Sequence, residues 1–241
     1  MDVNQVKSVY NSQKPEANYE YERWFKNPIK LAGYEMSLKS IKVHVLPDLP
    51  QGGAYLELGP GAGTWTKVIL IARPGLEADL VDLSSSMLNQ AKKNLSGFSG
   101  INYFENDFLD FSADKKYQAF FSSRVFEYLP DQPAAAAKIA ELLPSGGMGW
   151  LITKTPKYFF NRLLGRKINP LHNGQIAPTK LHALLAAAGF KEIKMFPVAF
   201  SFPLFKSAGL NKFCHSLFYR LPLNFISQFL SESYLVKFKK S

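Results

Sequence analysis

Short apolar runs alternate with helical periods through the middle of the chain. Five mainly apolar runs predict strands, near 54–58 and at 78–82, 101–105, 117–123 and 148–153. Helical periods at 64–72 and 85–95 separate the first three runs. Strands that alternate with helices are typical of a parallel, doubly wound α/β sheet, so we expect helices on both of its faces.

The first 50 residues have a different pattern. Residues 1–20 are mostly polar, and we expect them to be loosely ordered. Apolar side chains then recur three and four residues apart, which predicts an amphipathic helix that begins near Pro28 and stops before Pro47. We therefore divide the chain into an N-terminal segment with this helix, residues 1–50, and a main domain, residues 51–241.

The C-terminal part is predicted to add a helix at 179–188 and two more strands, at 193–196 and 234–238. The connection between these strands, 197–233, is long for a loop and carries apolar residues at helical spacing. On its longer stripe, Leu210, Phe213, Cys214, Leu217 and Leu221 share one face, opposite Asn211, Lys212, His215, Ser216 and Arg220. We interpret 197–233 either as two helices packed on the domain, or as a helical cap over a substrate pocket that also touches a membrane or a lipid-like substrate.

A glycine-rich turn follows the first strand. The chain runs Glu57-Leu58-Gly59-Pro60-Gly61-Ala62-Gly63 and then enters a helical period. Glycines at such a turn let a ligand approach bare backbone, and the helix N-terminus offers free N–H groups. The spacing matches neither the phosphate-binding loop with its lysine nor the dinucleotide pattern Gly-x-Gly-x-x-Gly.

An acidic residue ends the second predicted strand. Asp82 lies 19 residues after Gly63, close to the distance at which nucleotide-binding βαβ units place a carboxylate for ribose hydroxyls. A carboxylate suits a vicinal diol because it accepts both O–H bonds. The alternative is that Asp82 serves the N-terminus of the following helix, although Ser84 can supply that cap.

The pattern Glu-x-Gly-x-Gly-x-Gly resembles the first motif of class I S-adenosylmethionine-dependent methyltransferases of the small-molecule type. Asp82, the pair Asp107-Phe108, the segment 125–131 and the turn 143–147 follow in the order of that family, so the resemblance covers about residues 50–196. It implies a Rossmann-like seven-stranded sheet, mostly parallel with a final antiparallel strand. It also implies S-adenosylmethionine as cofactor and S-adenosylhomocysteine as product.

The resemblance implies a set of cofactor-binding residues. Asp82 would bind the ribose, Asp107 would accept from the adenine amino group, and the backbone N–H of Phe108 would meet the ring. The full set is Glu57, Gly59, Pro60, Gly61, Gly63, Asp82, Leu83, Asp107, Phe108 and Ser123.

Candidates for the methyl-transfer step are few. The transfer is an in-line displacement in which positioning supplies most of the catalysis, and a hydroxyl or amine acceptor also needs a base. His172 is the first candidate for the base, with a structural role as the alternative. Glu127 is either a base or a carboxylate at the edge of the core, and Arg124 either binds an anionic acceptor or pairs with an acid. Three tyrosines are candidates to close over the cofactor, at positions 10, 19 and 21.

The charge is concentrated in the C-terminal part of the chain. Residues 138–241 hold 15 Lys and Arg against three acids, a net charge of +12, whereas the whole chain carries +10. Since S-adenosylmethionine has no phosphate, this excess indicates an anionic acceptor, an anionic membrane surface or RNA, unless it only keeps the protein in solution. We expect a small-molecule acceptor, anionic or lipid-like, and no nucleic acid partner, because 122–125 lacks the Asn-Pro-Pro-Tyr/Phe tetrapeptide of amino-directed enzymes.

Length and composition limit the number of domains, the location and the kinds of site that we expect. The 241 residues suffice for one domain, and the first residues are polar. We expect a cytoplasmic enzyme with peripheral contact to a membrane and no membrane-spanning segment. One cysteine and four scattered histidines predict neither a disulfide framework nor a metal site. Two alternatives to a small-molecule methyltransferase remain open, a non-catalytic S-adenosylmethionine-binding protein and an RNA methyltransferase.

Overall fold

The structure is a computed structural model that describes residues 3–12, 19–156, 165, 174–202 and 207–241. Within these ranges the helices are α1 Val3–Asn11, α2 Pro28–His44, α3 Thr64–Ala72, α4 Ser85–Asn94, α5 Gln132–Leu142, α6 Pro178–Ala187, α7 Ala208–Phe218 and α8 Phe225–Leu230. Single turns lie at Tyr21–Phe25, Leu46–Asp48 and Phe126–Tyr128. The strands are β1 Gly52–Leu58, β2 Gly75–Asp82, β3 Ile101–Glu105, β4 Ala119–Ser123, β5 Met148–Lys154, β6 Phe190–Phe200 and β7 Ser231–Lys240.

The seven strands form one sheet in the order β3-β2-β1-β4-β5-β7-β6. The first five strands pair in parallel, and β7 runs antiparallel to both β5 and β6. The predicted fold class is therefore confirmed. The strand order reverses between β1 and β4, and ligands of open α/β sheets bind beside such a switch point at the carboxyl ends of the strands.

Helices cover both faces of the sheet and create two cores. One core joins α5 and α6 to one face through Ile139, Leu181 and Leu185. The other joins α2 and α3 to the opposite face through Ile41 and Ile69. Two cores of this kind bury both faces of the sheet and leave its carboxyl edge free to carry a site.

Helices α2 and α4 begin at capping residues that can be recognised in the sequence. The Asn27 side chain accepts hydrogen bonds from the backbone N–H groups of Ile29 and Lys30 at 3.1 and 3.0 Å, and Pro28 occupies the first turn of α2. The Ser84 hydroxyl accepts from Met87 N–H at 3.2 Å and so begins α4. These bonds confirm the predicted starts of both helices.

The last two strands are longer than predicted. β6 and β7 pair over almost their whole lengths, with irregularities in register near Pro197 and Ala199. The ladder takes residues from both ends of the predicted insertion, so the connection between the strands is 201–230 and not 197–233. It contains α7 and α8, as the helical spacing indicated.

The prediction of a loosely ordered N-terminus is wrong for residues 3–11, which form α1. This helix packs on α4. Lys7 forms an ion pair with Glu105 at 2.9 Å, and the Ser84 hydroxyl donates to Asn11 Oδ1 at 2.7 Å. Specific polar contacts thus hold a mostly polar helix in place, and hydrophobic periodicity cannot predict such contacts. Val6 is the buried residue of this helix.

Helix α7 turns its polar face toward the protein. Its polar residues Asn211 and His215 are buried, and the stripe that contains Phe213 and Leu217 is exposed. The physical reason is that the polar face has partners on α2, where Ser40 Oγ lies 3.2 Å from His215 Nε2. Among the described residues, no helix is long and apolar enough to cross a membrane.

Candidate functional site at the carboxyl edge of the sheet

The glycine turn between β1 and α3 uses its three glycines differently. All three have positive φ, +67° at Gly59, +55° at Gly61 and +83° at Gly63, a region that favours glycine. A Cβ on Gly59 would lie 2.1 Å from a methyl carbon of Val125, and one on Gly63 would lie 3.0 Å from Leu95. A Cβ on Gly61 would meet only a Tyr19 ring carbon at 3.9 Å. Gly59 and Gly63 therefore allow close packing, whereas Gly61 leaves the turn open on one side.

We expect Gly59→Ala to destabilise the protein because its Cβ would overlap Val125 at a backbone conformation that strains alanine. The expected loss in the free energy of unfolding is about 2–4 kcal/mol. The double variant Gly59→Ala/Val125→Ala removes the overlap and should recover part of that loss. Urea unfolding of both variants and of Val125→Ala alone tests this, and additive losses would show that the overlap is not the cause.

Asp82 at the end of β2 connects the glycine turn to the start of α4. Its carboxylate accepts hydrogen bonds from Gly61 N–H at 3.3 Å and from Ser84 N–H at 2.9 Å. Burial raises the pKa of Asp82 to about 6, although these backbone N–H groups act to lower it. The carboxylate is therefore held in place by the two turns that a ligand at this edge would touch.

A cavity of about 490 Å³ opens beside these residues at the carboxyl ends of β1, β2 and β4. Most of the predicted cofactor-binding residues line it, namely Gly59, Pro60, Gly61, Asp82, Leu83, Asp107, Phe108 and Ser123, together with Arg124. Glu57, Gly63 and Glu127 are not on its wall. His172 lies outside the described residues.

Glu57 sits behind the glycine turn and not on the cavity wall. Its side chain is buried, and Tyr55 donates its hydroxyl hydrogen to Glu57 Oε2 at 2.8 Å. Burial raises the pKa of Glu57 to about 7. The structure thus places this carboxyl inside the sheet, and its predicted contact with the cofactor stays a prediction.

Glu127 is a buried partner of the cavity wall and does not reach the cavity. Arg124 donates through Nε to one carboxylate oxygen at 2.7 Å, and Thr153 donates to the other at 2.6 Å. Burial acts to raise the pKa of Glu127, but Arg124 and these hydrogen bonds outweigh it and hold the pKa below its usual range. An ionised, enclosed carboxylate of this kind positions Arg124, and the structure does not offer it as a base.

Arg124 itself faces the cavity from the end of β4. Its φ is +66°, an uncommon conformation for a residue with a side chain, and its N–H donates to Ile152 C=O at 2.7 Å. Burial acts to lower its pKa, but Glu127 and Glu232 raise it overall, so the guanidinium remains charged. Unusual backbone conformations that persist at a cavity wall are often part of a binding site.

Several lining residues escaped the sequence analysis as site residues. Lys154 ends β5 on the wall, where burial and Arg124 lower its pKa. Arg23 and Trp24 reach the wall from the turn before α2, and α1 contributes Lys7. They could not be identified because they are far apart in the sequence and only the tertiary fold brings them together.

Tyrosines from the N-terminal segment cover the cavity, as the sequence suggested for two of the three candidates. Tyr10 and Tyr19 line it, and Tyr10 meets the Tyr128 ring edge to face at 6.2 Å. Tyr21 is half exposed and is not on the wall. Burial raises the pKa of both Tyr10 and Tyr19, so their phenols stay protonated and can donate hydrogen bonds.

The expected cap from the last connection does not reach this cavity with its described part. Residues 207–230 are absent from the wall, and α7 instead packs on α2 and β6. Within the described ranges, the structure contains no cluster of His, Cys, Asp or Glu that could hold a metal ion.

The cavity therefore has two chemically different ends. Asp82 and Asp107 stand at one end beside the open backbone of Gly61. Arg124 and Lys154 stand at the other, with tyrosine hydroxyls close by. The first end suits hydroxyl and amino donors, and the second suits an anion.

Comparison with known families and sequences agrees with this geometry. The model of a family described as a methyltransferase domain matches residues 56–148. Malonyl-[acyl-carrier protein] O-methyltransferase 1 of Ilyobacter polytropus is 33% identical over 92 residues, which are 38% of this chain and 34% of that protein. Trans-aconitate 2-methyltransferase of Sinorhizobium fredii is 30% identical over 102 residues, 42% of this chain and 38% of that protein. The chain thus aligns with little more than a third of the length of these relatives.

Solved structures match over nearly the whole chain at low sequence identity. Magnesium protoporphyrin IX methyltransferase from Synechocystis, with bound S-adenosylhomocysteine, has a TM-score of 0.66 at 16% identity and full coverage of both chains. The N-methyltransferase NodS from Bradyrhizobium japonicum, also with S-adenosylhomocysteine, has a TM-score of 0.63 at 14% identity and covers 98% of each chain. At such identities the likeness establishes the fold.

The sheet topology is the Rossmann-like fold of these solved methyltransferases. The region that contains the glycine turn and Asp82 matches the methyltransferase-domain family, and the chain is similar in sequence to the two named methyltransferases.

Proposed function

We propose that this protein transfers a methyl group from S-adenosylmethionine to a small anionic acceptor. The observation that carries the proposal is the cavity at the switch point, with acceptor carboxylates and an open glycine turn at one end and cations at the other. When bound, S-adenosylmethionine supplies a methyl group on a positively charged sulfur, which leaves as the neutral thioether of S-adenosylhomocysteine.

The residues at the acidic end fit the cofactor. Asp82 presents a carboxylate that is already fixed by Gly61 and Ser84, which suits the two ribose hydroxyls. Asp107 is free to accept from an amino group through the oxygen that does not bind Leu109 N–H. Gly61 would let the amino-acid part of the cofactor lie against backbone, because a side chain there would fill the space.

The basic end supports an anionic acceptor. Arg124 and Lys154 both line the cavity, and Glu127 orients Arg124 from behind the wall. A guanidinium and an ammonium that are partly shielded from water bind a carboxylate or another oxyanion with charge-assisted hydrogen bonds. The names of the two aligned relatives, a malonyl-carrier and a trans-aconitate methyltransferase, both denote carboxylate-bearing acceptors.

A carboxylate acceptor also matches the chemistry of the described wall. An ionised carboxylate is already the nucleophile, so no proton has to be removed before attack. The two cations would hold the acceptor and Tyr10 would donate to its second oxygen, which leaves positioning as the main source of rate. This fits a wall on which Glu127 is occupied by Arg124 and Thr153.

Turnover separates an enzyme from a protein that only binds the cofactor. Purified protein is incubated with methyl-labelled S-adenosylmethionine and a small-molecule extract, and formation of S-adenosylhomocysteine and of a labelled product is followed by mass spectrometry. We expect equal amounts of the two and no label in added RNA. Tight cofactor binding without S-adenosylhomocysteine formation would leave a binding protein as the function, and labelled RNA would favour the other alternative.

We expect Lys154→Gln to raise the KM for that acceptor about tenfold, because one charge-assisted hydrogen bond is lost. The cofactor Kd should change little, and Lys154→Arg should restore most of the acceptor affinity. Lys138→Gln on α5, whose ammonium faces Glu141, serves as the matched control. An acceptor KM that is the same in Lys154→Gln and wild type would contradict the proposed anion site.

A further inference from the structure

Helices α7 and α8 together expose a group of large apolar side chains. On α7, Phe213 and Leu217 are 59% and 53% exposed, and Leu221 just after the helix is 49% exposed. On α8, Phe225 is 86% exposed and Ile226 is 59% exposed. The docking stripe, as we name it, consists of Leu210, Phe213, Leu217, Leu221, Phe225, Ile226 and Phe229.

Contacts on the opposite side fix the stripe outward. His215 is buried against Ser40 of α2, and its ring stacks on Tyr219 at a centroid distance of 5.1 Å. His44 contacts the Tyr219 carbonyl oxygen, and the Lys39 ammonium lies 4.1 Å from the centroid of the Tyr219 ring. Rotating α7 to bury its apolar face would break all of these contacts, so the exposure is a property of the fold.

Helix α8 is also held with its polar side toward the protein. Asn224 and Ser227 form a reciprocal capping box at its start, and Ser227 is fully buried. The polar residue again faces the protein while its aromatic neighbours face outward. Because both helices have this arrangement, their exposed apolar side chains form a patch. Single exposed apolar residues are common on proteins, whereas patches of them mark interaction sites.

The charge around the stripe selects its partner. From residue 193 to residue 231 the sequence contains no acidic residue and four basic ones, Lys194, Lys206, Lys212 and Arg220. Glu35 of α2 forms an ion pair with Lys212 at 3.1 Å, so the surface keeps an excess of positive charge with one of its cations paired. A second copy of the chain would bring like charges together across a symmetric contact, which is unfavourable. An anionic lipid surface accepts both the cations and the aromatic side chains, which is the composition of helices that lie in the membrane interface.

We propose that α7 and α8 dock on the surface of an anionic lipid bilayer, with the docking stripe at the boundary between headgroups and acyl chains and Arg220 at the headgroups. The inference does not depend on the proposed methyl transfer. It differs from the expected cap, because the helices turn their apolar residues away from the protein and not over a pocket.

The docking surface is joined to the cavity wall by a short path. β7 begins at Ser231 directly after α8, and the carbonyl of Glu232 accepts from Thr155 N–H at 3.0 Å. The Glu232 carboxylate lies 3.8 Å from the ammonium of Lys154 on the cavity wall. A docked protein would therefore turn toward the membrane the side on which the end of β5 and the start of β7 lie beside the cavity.

Co-sedimentation with lipid vesicles tests the proposal on the full chain without cofactor. We expect binding to vesicles of equimolar phosphatidylcholine and phosphatidylglycerol, and much weaker binding to phosphatidylcholine alone or at high salt. The double variant Phe213→Glu/Leu217→Glu should bind the anionic vesicles about tenfold more weakly or worse. Phe225→Ser, at the most exposed position, provides a second variant should the first fail to fold.

The matched control is Ile71→Glu, which places the same charge at an exposed apolar residue of α3, 65% exposed and outside the stripe. It should bind vesicles as the wild type does. Failure of wild type to bind anionic vesicles, or equal binding by wild type and the stripe variants, would overturn the proposal. A wild-type dimer in analytical ultracentrifugation that dissociates in Phe213→Glu/Leu217→Glu, without vesicle binding, would instead assign the stripe to a second copy.

Discussion

Gly61→Arg is expected to abolish measurable binding of S-adenosylmethionine while the protein stays folded. The open side of Gly61 faces the cavity, and a Cβ there meets nothing closer than the Tyr19 ring at 3.9 Å. An arginine side chain would therefore extend into the space that the cofactor needs, without clashing with the fold. Its positive φ of +55° adds strain of about 1–2 kcal/mol, which an intact domain tolerates.

Isothermal titration calorimetry with S-adenosylmethionine and S-adenosylhomocysteine measures this effect, with thermal unfolding as the check on folding. Gly146→Arg is the matched control, because Gly146 also has a positive φ, +81°, and open space around it, but lies in the turn before β5. The milder Asp82→Asn should weaken binding by about 1.5–3 kcal/mol, a loss of tenfold to a hundredfold. Wild-type affinity in folded Gly61→Arg would mean that the cofactor does not use this turn.

The sequence could predict the sheet because the signal for it is local. Buried parallel strands appear as apolar runs, and helices between them have their own period, so both can be read without knowing the partners. The Asp82 end of β2 and the glycine turn belong to the same category, since chain connectivity alone places them at the carboxyl edge. The residues that line the acidic side of the cavity were accordingly predicted. Glu57 and Gly63 belong to the predicted set but do not line the cavity.

The basic side of the cavity could not be predicted in the same way. Lys154 and Arg23 are separated by more than half of the chain, and nothing local distinguishes them from other surface cations. Arg124 was predicted either to bind an anionic acceptor or to pair with an acid; the structure shows the pairing, and anion binding stays a prediction. One guanidinium pairs with Glu127 through Nε and still lines the cavity.

The orientation of α7 shows a limit of periodicity itself. Spacing tells which side chains share a face, but it does not tell which face is turned inward when polar residues have partners elsewhere. Here Ser40 and His44 on α2 receive His215 and the Tyr219 carbonyl. Burial also lowers the pKa of His215 to about 4, so the ring enters the interior uncharged.

Glu57→Gln is expected to stabilise the protein at pH 8 by up to about 3 kcal/mol and to have little effect at pH 4. Burial raises the pKa of Glu57 to about 7, from 4.5 for an ordinary glutamate. The folded protein therefore holds this proton more tightly than the unfolded chain does, and stability falls as the pH rises from about 4.5 to 7. Glutamine keeps the shape and can still accept from the Tyr55 hydroxyl, but it carries no charge to bury.

Urea unfolding of the protein without cofactor at several pH values measures the difference between wild type and variant. Asp82 is present in both proteins, and its negative charge helps to raise the pKa of Glu57, so the measured difference includes the repulsion between the two carboxylates. Glu77→Gln is the control, because this glutamate is exposed on β2 and its replacement should shift stability little at any pH. If Glu57→Gln were no more stable than wild type at pH 8, the Glu57 carboxylate would have to be compensated inside the sheet, and the high pKa would be wrong. Cofactor affinity should be close to wild type in this variant, since Glu57 lies behind the glycine turn and Asp82 lies in front of it.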